Sequence, residues 1–284
     1  MNYAVLCPAD MFKHAELVHY AQSAEAAGFN TIWLPELFGR DPFVTCATIL
    51  NATSTIKVGT AIANVYARDA RATKAAAYSL ADAHNNRFSL GLGLSNKVGN
   101  APRGHKWLPP LTKMQDFMDR YAEAEIMFKN EADVSVYLAA HGPKLMEFAA
   151  ERMDGAYTYL QTIDYSADAK QLLGDKLLHL MQPTVFVEEP DRARDLARRA
   201  IAVYLPLENY HRAWRERGFD DADFADRGSD KFIDSIIAWG DQKRIAERYL
   251  AQRSAGVDQI IVIPVGVDLR QETAWARLAE QIKK

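Results

Sequence analysis

Short apolar runs alternate with longer amphipathic segments along the whole chain, and this alternation limits the possible folds more than any other feature. A short apolar run followed by a segment of helical period is typical of a strand and helix unit, and repeated units predict a parallel sheet. The predicted strands are residues 3–7, 31–34, 56–63, 88–93, 134–140, 155–160, 181–187 and 259–264. The predicted helices are residues 13–27, 42–52, 70–84, 111–128, 144–152, 166–178, 190–203, 210–217, 231–239, 241–255 and 271–282.

The number of strands favours one fold class. Eight strands, each followed by helix, in 284 residues match a (β/α)8 TIM barrel better than a doubly wound sheet of fewer strands. No linker rich in proline or serine interrupts the pattern, so we predict a single domain over residues 1–284. The two least regular stretches, 94–110 and 205–230, are interpreted as insertions after strands four and seven.

The charge balance argues against polyanionic partners. Lysine and arginine total 34 against 37 for aspartate and glutamate, and a net charge of −3 attracts neither nucleic acid nor an anionic membrane. Cys7 and Cys46 lack the spacing of a thiolate metal site or a disulfide framework, which favours a reducing compartment. No apolar run is long enough to cross a bilayer, and the first residues lack the basic region of a signal peptide. We therefore expect a cytoplasmic protein that acts on a small molecule.

In a barrel of this kind, functional side chains lie at the carboxyl ends of the strands. These positions are poor in charge: Cys7/Pro8, Pro35/Glu36, Ala63/Asn64, Leu94/Ser95/Asn96, Ala140/His141/Gly142, Leu160/Gln161, Val187/Glu188 and Pro264/Val265. None of them is the lysine that a Schiff-base aldolase requires. Glu36, His141 and Glu188 come from strands two, five and seven, so we expect no shared metal ion.

The glycines at the end of strand four allow two interpretations. Gly91 and Gly93 lack the third glycine of a dinucleotide-binding fingerprint, because Asn96 occupies that place. They allow either close packing at the strand end or close approach of a ligand to the backbone. The preceding strand also ends in small residues, at 61–63, and this coincidence favours a ligand. An apolar barrel mouth suits an aromatic redox cofactor, and residues 96–110 are either a lid over it or a loop without function.

Several sequence blocks resemble the luciferase-like monooxygenase family and, within it, the oxidoreductases that depend on coenzyme F420, a deazaflavin. These blocks are residues 24–36, 59–62, 87–93, 136–143, 151–155 and 255–258. They occur in the family's order and span nearly the whole chain. The resemblance implies a TIM barrel, a homodimer, and hydride transfer between F420 and a small organic substrate at the barrel mouth. Two alternatives are an FMN-dependent monooxygenase and a barrel that acts as a non-catalytic binding or regulatory subunit.

The resemblance also implies site residues. It places a strand bulge at Ala61–Ile62, behind the cofactor ring, and the cofactor's phosphate-bearing tail at the loop of His141 and Gly142. The family's bulge commonly contains a cis peptide bond, and the alternative here is a normal trans strand. The full set of implied cofactor-binding residues is Ala61, Ile62, Asn64, Arg68, Gly93, Ser95, Asn96, Ala140, His141 and Gly142. Asn96 and Thr162 stand where members that oxidise sugar phosphates carry a carboxylate and a lysine, which makes glucose 6-phosphate a poor candidate substrate.

Glu36 is the predicted catalytic residue. The resemblance places it beside the cofactor ring, where a carboxylate could relay a proton while the cofactor carries hydride. The alternative is a structural salt bridge from Glu36 to Arg40 or Arg68, and the sequence leaves both interpretations open.

Overall fold

A computed structural model describes residues 3–128 and 131–283 and contains a closed parallel barrel. Its strands are β1 (Tyr3–Leu6), β2 (Thr31–Pro35), β3 (Lys57–Asn64), β4 (Phe88–Gly93), β5 (Val136–Ala139), β6 (Gly155–Tyr159), β7 (Leu177–Val185), β8 (Ala238–Trp239) and β9 (Gln259–Val265). Strands β1 to β7 pair in chain order, β7 pairs with β9, and β9 closes the ring against β1. The predicted (β/α)8 barrel is confirmed.

Helices connect the strands around the outside of this barrel. They are α1 (His14–Ala26), α2 (Pro42–Ala52), α3 (Ala70–Ala83), α4 (Lys97–Asn100), α5 (Pro110–Glu123), α6 (Pro143–Arg152), α7 (Ile163–Leu173), α8 (Pro190–Ile201), α9 (Glu208–Arg215), α10 (Asp221–Phe224), α11 (Asp230–Ile236), α12 (Gln242–Ser254) and α13 (Glu272–Lys283). Short 3-10 turns occur at Ala9–Met11, Ala101–Arg103 and Ala225–Arg227. Within the described ranges, no helix combines the length and the apolar character that crossing a bilayer requires.

Several predicted elements were wrong in their bounds. The predicted helix 166–178 lies at Ile163–Leu173, because Thr162 caps its start and Gly174, with a positive φ, ends it. The predicted helix 231–239 ends at Ile236, because Trp239 instead pairs with Val185 in the two-residue strand β8. The predicted helix 111–128 ends at Glu123, where the next residue is extended and its carbonyl accepts a hydrogen bond from Lys74 Nζ at 2.6 Å. Strand β7 begins at residue 177 rather than 181, because the polar His179 lies inside the barrel and interrupts the apolar run.

The inside of the barrel is a packed core. Successive strand residues point to opposite faces, so every second residue contributes an inward side chain. The buried inward residues are Ala4, Trp33, Ala61, Tyr137, Tyr157, Met181 and Ile261. Trp33 also donates from Nε1 to Gln259 Oε1 at 2.8 Å, which satisfies its buried polar atom. A ligand therefore has access from the mouth and not through the barrel.

Strand β3 carries a bulge at the predicted place. Gly59 pairs with Ser89 and Ala63 with Leu92, so β3 has one more residue than β4 between these two pairs. The Thr60 hydroxyl replaces part of the lost ladder: it donates to the Gly91 carbonyl at 2.8 Å and accepts from the Gly91 N–H at 2.9 Å. The described residues contain no cis peptide bond, so of the two possibilities at Ala61–Ile62 the structure has the trans peptide. The inserted residue and the Thr60 hydrogen bonds accommodate the bulge with trans peptides.

The glycines of β4 make room for this bulge. A Cβ atom on Gly91 would collide with the Thr60 carbonyl oxygen, and one on Gly93 would collide with Ile62 Cγ2. Close packing, the first of the two interpretations, therefore accounts for both glycines.

Candidate active site

The mouth of the barrel has an apolar floor. On five strands, the residue two positions after the buried interior residue also points inward, and its side chain is partly exposed at the mouth. These five residues are Leu6, Pro35, Ala139, Tyr159 and Ile263. Strand β3 contributes Ile62, which directly follows the buried Ala61 because of the bulge. Gly93 has no side chain, so Ile62 and Ala139 approach each other above it. A floor of six apolar side chains can support a flat, largely apolar molecule.

At the ends of β2 and β3, ionic side chains and amides form what we call the polar corner: Glu36, Asp41, Asn64, Arg68, Asn100 and Arg103. Glu36 Oε2 accepts from the Asn64 N–H and from Arg68 Nη1, both at 2.8 Å, and the carboxylate side chain is 6% exposed. The other oxygen, Oε1, lies 3.7 Å from Arg103 Nη2. Glu36 is thus held in place, and Oε1 retains most of its capacity to accept a hydrogen bond.

The predicted salt bridge from Glu36 forms with Arg68 and not with Arg40, whose guanidinium donates to the carbonyls of Ala9 and Phe12. Arg68 also donates from Nη2 to Asp41 Oδ2 at 2.5 Å. Burial alone would lower the pKa of Arg68, but the hydrogen bonds that it donates to Glu36 and Asp41 raise that pKa overall. Burial opposes ionisation of Asp41 as well, yet the Val44 N–H and Arg68 lower its pKa. Asp41 and Arg68 are therefore a stable ion pair.

The loop after β4 is fastened to the polar corner. Asn64 Nδ2 donates to Asn100 Oδ1 at 2.9 Å, and Asn64 Oδ1 accepts from the Tyr66 N–H. At the start of the loop, Ser95 is exposed with a left-handed φ of 57°, and Asn96 caps α4 by accepting from the Gly99 N–H. Both polar atoms of the Asn64 side chain are therefore hydrogen-bonded to other groups of the protein.

The far end of this loop is fastened by Tyr66. The Tyr66 ring stacks on Trp107 with 5.5 Å between centroids, and its hydroxyl accepts from the Leu108 N–H at 3.0 Å. Residues 101–106 between the two anchors are exposed. The loop is thus held over the ends of β2 and β3 at both of its ends, and Arg103 reaches Glu36 from its exposed part.

A cavity of about 350 Å³ lies between this loop and the loop after β2. It is lined by Glu36, Leu37, Phe38, Gly39, Arg40, Asp41, Gly99, Pro102 and Arg103. Glu36 therefore faces a space that a small molecule can enter.

The opposite side of the mouth, at the ends of β5 and β6, is aromatic. This aromatic corner consists of His141, Tyr159, Tyr204 and Tyr210. The His141 and Tyr210 rings lie 4.7 Å apart, and the Tyr159 and Tyr204 rings meet edge to face at 5.0 Å. Burial raises the pKa of all three tyrosines and lowers that of His141 to about 4. All four side chains are therefore neutral at pH 7.

Sequence reasoning missed the tyrosines of this corner. Tyr204 and Tyr210 belong to the insertion between β7 and β9, which builds its own hydrophobic cluster around Trp214 and Phe232. The inward position of Tyr159 follows from strand alternation and was available as a signal. The insertion offered no comparable signal, because its packing against the mouth is set by tertiary contacts.

The loop between β5 and α6 has an open backbone. Gly142 is extended and precedes Pro143 at the first position of α6. Among the described residues, apart from the two chain neighbours of Gly142, Arg212 Nη2 alone lies within 4 Å of the position that a Gly142 Cβ would occupy, at 3.2 Å. A helix amino terminus, a missing side chain and a nearby guanidinium favour an anionic group.

The predicted site residues divide between the two corners and the floor. Ala61 and Ala140 are completely buried, and Asn64 and Gly93 are buried. The partly exposed ones are Ile62, Arg68, Asn96, His141 and Gly142, and Ser95 is exposed. In the part of the chain that the structure describes, no group of three His, Cys, Asp or Glu side chains is placed to share a metal ion.

Residues 1–259 match the family model described as luciferase-like monooxygenase. A 5,10-methylenetetrahydromethanopterin reductase of Methanolobus tindarius is 31% identical over 49% of this chain and 48% of its own, so the chain spans about half the length of this relative. The reductase of the same name from Archaeoglobus fulgidus is 24% identical over 95% of this chain and 96% of its own.

Solved structures share the fold. The coenzyme F420-dependent tetrahydromethanopterin reductase of Methanopyrus kandleri superposes with a TM-score of 0.81 at 17% identity, covering 99% of this chain and 98% of that one. The oxygenating constituent of 3,6-diketocamphane monooxygenase from Pseudomonas putida, in complex with FMN, gives 0.72 at 12% identity over 100% and 97%.

Proposed function

The chain belongs to the luciferase-like monooxygenase family and is therefore an oxidoreductase; from this premise we propose that it transfers hydride between coenzyme F420 and a small organic substrate at the barrel mouth. The observation that carries the proposal is the apolar floor, which the β3 bulge completes with Ile62. The relatives named as tetrahydromethanopterin reductases, and the F420-dependent solved structure, support the deazaflavin as cofactor.

The residues of the mouth fit such a cofactor. A tricyclic ring has a flat apolar face, which the six side chains of the floor can support. The tail of F420 carries a phosphate, and the Gly142 loop leaves its backbone accessible to an anion beside Arg212. Gly93 contributes by its lack of a side chain, and Ala61 lies buried directly beneath the floor. Ala140 packs in the core outside the barrel instead, so its predicted contact with the cofactor is not part of the proposal.

The chain's own residues supply position and polarity. F420, when bound, supplies the carbon that carries the hydride. Ile62 and the floor orient the ring, and His141, Gly142 and Arg212 hold the tail. The fastened loop after β4 excludes water from the ends of β2 and β3. Glu36 lines the cavity, and we propose that its less engaged oxygen, Oε1, accepts a proton or hydrogen bond from the reacting molecule.

A second candidate is an FMN-dependent monooxygenase, and the FMN-bound structure with the same fold supports it. A deazaflavin lacks the ring nitrogen next to which reduced flavin forms its oxygen adduct. Oxygen consumption by the reduced, cofactor-loaded protein would therefore separate the two candidates.

Fluorescence titration of the protein with F420 and, separately, with FMN tests the proposal. We expect F420 to bind in the micromolar range or tighter and FMN to bind more weakly. Gly142→Val should weaken F420 binding about tenfold or more, because its branched side chain would displace Arg212 and cover the backbone. Lys57→Val is a suitable control, because Lys57 is exposed at the first position of β3, at the opposite end of the barrel from the mouth. If neither cofactor binds, both candidates fail.

We further propose that the protein is a cytoplasmic homodimer. Exposed apolar side chains on the loops after β1 and β2 and on α2 support an interface there, with Met11 at 67%, Phe38 at 83% and Val44 at 67% exposure. The two free, buried cysteines are consistent with a reducing compartment. Sedimentation equilibrium should give twice the mass of one chain, and Phe38→Glu should shift the equilibrium towards the monomer.

A further inference from the structure

Strand β6 ends in a strained turn. Leu160 has a left-handed φ of 54°, which is unusual for a bulky residue. Its side chain is 1% exposed within the cluster around Trp214. Its carbonyl accepts from Trp214 Nε1 at 2.8 Å. This packing holds the turn and fixes the direction in which the next residue, Gln161, leaves the strand.

Within the described residues, only one of the two polar atoms of the Gln161 side chain has a hydrogen-bond partner. The residue is 1% exposed, and Nε2 lies 3.4 Å from His141 Nδ1. Its other polar atom, Oε1, is buried without a hydrogen-bond partner in the described part of the chain. A buried acceptor without a donor is unfavourable, so the position is suited to a donor that arrives with a ligand.

The location of this atom separates it from the other unpartnered buried groups. Thr158 and Gln182 lie on outward-facing strand positions. His179 lies deeper inside the barrel, where its ring contacts those of Tyr137 and Tyr157. The other groups lie on the helices or at their ends. Gln161 follows the carboxyl end of a barrel strand and contacts the aromatic corner through His141. It is therefore the unpartnered group that borders the mouth.

Gln161 and His141 form a complementary pair. When Gln161 Nε2 donates to His141 Nδ1, the neutral ring carries its proton on Nε2. The pair then offers one donor, His141 Nε2–H, and one acceptor, Gln161 Oε1. A hydroxyl group, which both donates and accepts, matches this pair.

We infer that Gln161 binds the cofactor: its Oε1 accepts a hydrogen bond from a hydroxyl of the polyol chain that links the ring to the phosphate. The inference rests on the proposed function. Gln161 lies between the floor residue Tyr159 and the Gly142 loop, which are the proposed places of the ring and of the phosphate. The segment of F420 between ring and phosphate is a ribityl chain, which carries only hydroxyl groups.

The test compares Gln161→Met with the unchanged chain, using F420 and its ribityl-bearing deazaflavin core without phosphate. We expect Gln161→Met to weaken both ligands by a similar factor of about ten, whereas Gly142→Val should weaken F420 more than the core. The unfolding midpoint of the ligand-free variant should fall only slightly, because the change removes an amide oxygen that has no partner in the described residues and one long hydrogen bond, of 3.4 Å, to His141. Gln161→Leu repeats the measurement if the methionine variant does not fold.

Gln182→Met is the matched control, because Gln182 is equally buried at 1% but donates to the carbonyls of Pro183 and Ile236, away from the mouth. We expect it to lower stability and to leave cofactor affinity within twofold. The inference is overturned if Gln161→Met binds both ligands within twofold of the unchanged chain. It is also overturned if the unchanged chain binds neither F420 nor FMN, and in that case the proposed function fails with it. If FMN is the ligand, FMN and riboflavin take the places of F420 and its core.

Discussion

The two sides of the barrel mouth satisfy their polar groups in opposite ways. In the polar corner, Glu36, Arg68 and Asp41 compensate one another, and Asn64 is bonded within the protein. In the aromatic corner the side chains are neutral and Gln161 Oε1 has no partner in the described residues. The first side keeps its shape without a ligand, and the second gains hydrogen bonds when one binds. Stability changes should therefore concentrate in the polar corner and affinity changes in the aromatic one.

The largest test of this contrast is Arg68→Ala. Removal of the guanidinium leaves the buried Glu36 carboxylate and Asp41 without their shared partner, and we expect the free energy of unfolding to fall by about 2–3 kcal/mol. Urea denaturation measures this change. Arg120→Ala, in an exposed pair with Asp116, should leave it unchanged within the error of the measurement. Equal effects of the two variants would mean that the polar corner contributes no more than a surface ion pair.

Lowering the pH should have the next largest effect on the free energy of unfolding, through His179, which belongs to neither corner. Burial lowers the pKa of His179, inside the barrel, to about 4. The unfolded chain therefore binds the proton more readily. The stability due to neutral His179 is present above about pH 6.5 and is lost as the pH falls towards 4. We expect a loss of about 2 kcal/mol between pH 7 and pH 5.

Denaturation curves at the two pH values provide the measurement, and His179→Phe should remove much of the difference. His141 has a similarly lowered pKa at the mouth, so His141→Phe shows how much of the effect comes from the aromatic corner. A stability that does not change between pH 7 and 5 would contradict the burial of His179.

A smaller effect is expected from Tyr66→Phe, which removes the hydrogen bond to the Leu108 N–H and keeps the stack on Trp107. We expect about 1 kcal/mol of lost stability and faster amide hydrogen exchange at the far end of the loop after β4. Tyr66→Leu removes the stack as well and should loosen the loop further. Unchanged exchange in both variants would show that Tyr66 does not fasten the loop.

The smallest effect is expected from Arg103→Ala. Its nitrogen lies 3.7 Å from Glu36 Oε1, and its side chain is 30% exposed, so stability should change by less than about 0.5 kcal/mol. Because Arg103 lines the cavity beside Glu36, a change in the KM for the substrate with no change in stability is the outcome that assigns it to substrate binding. A large loss of stability would instead make it part of the fastened polar corner.

Sequence periodicity predicted the barrel because strands and helices differ in their repeat, and the β4 bounds were predicted to the residue. It misplaced the start of β7, since an inward-facing polar residue such as His179 does not follow the apolar pattern. The position of Glu36 at a strand end was visible in the sequence, but its partner was not, because Arg40 and Arg68 are equally plausible by spacing. The unpartnered oxygen of Gln161 depends on contacts among β5, β6 and the insertion, which no local pattern contains.

The close fit of β3 to β4 means that a substitution in β4 can change the apolar floor of the mouth. The Ile62 side chain packs against Gly93 of the neighbouring strand, so the space left by Gly93 sets how far Ile62 projects into the mouth. A single methyl group at Gly93 would lift Ile62 and alter the depth at which a planar molecule rests, without touching that molecule. Under the proposed function, replacement of Gly93 by alanine would therefore change the position of the cofactor ring without contacting it.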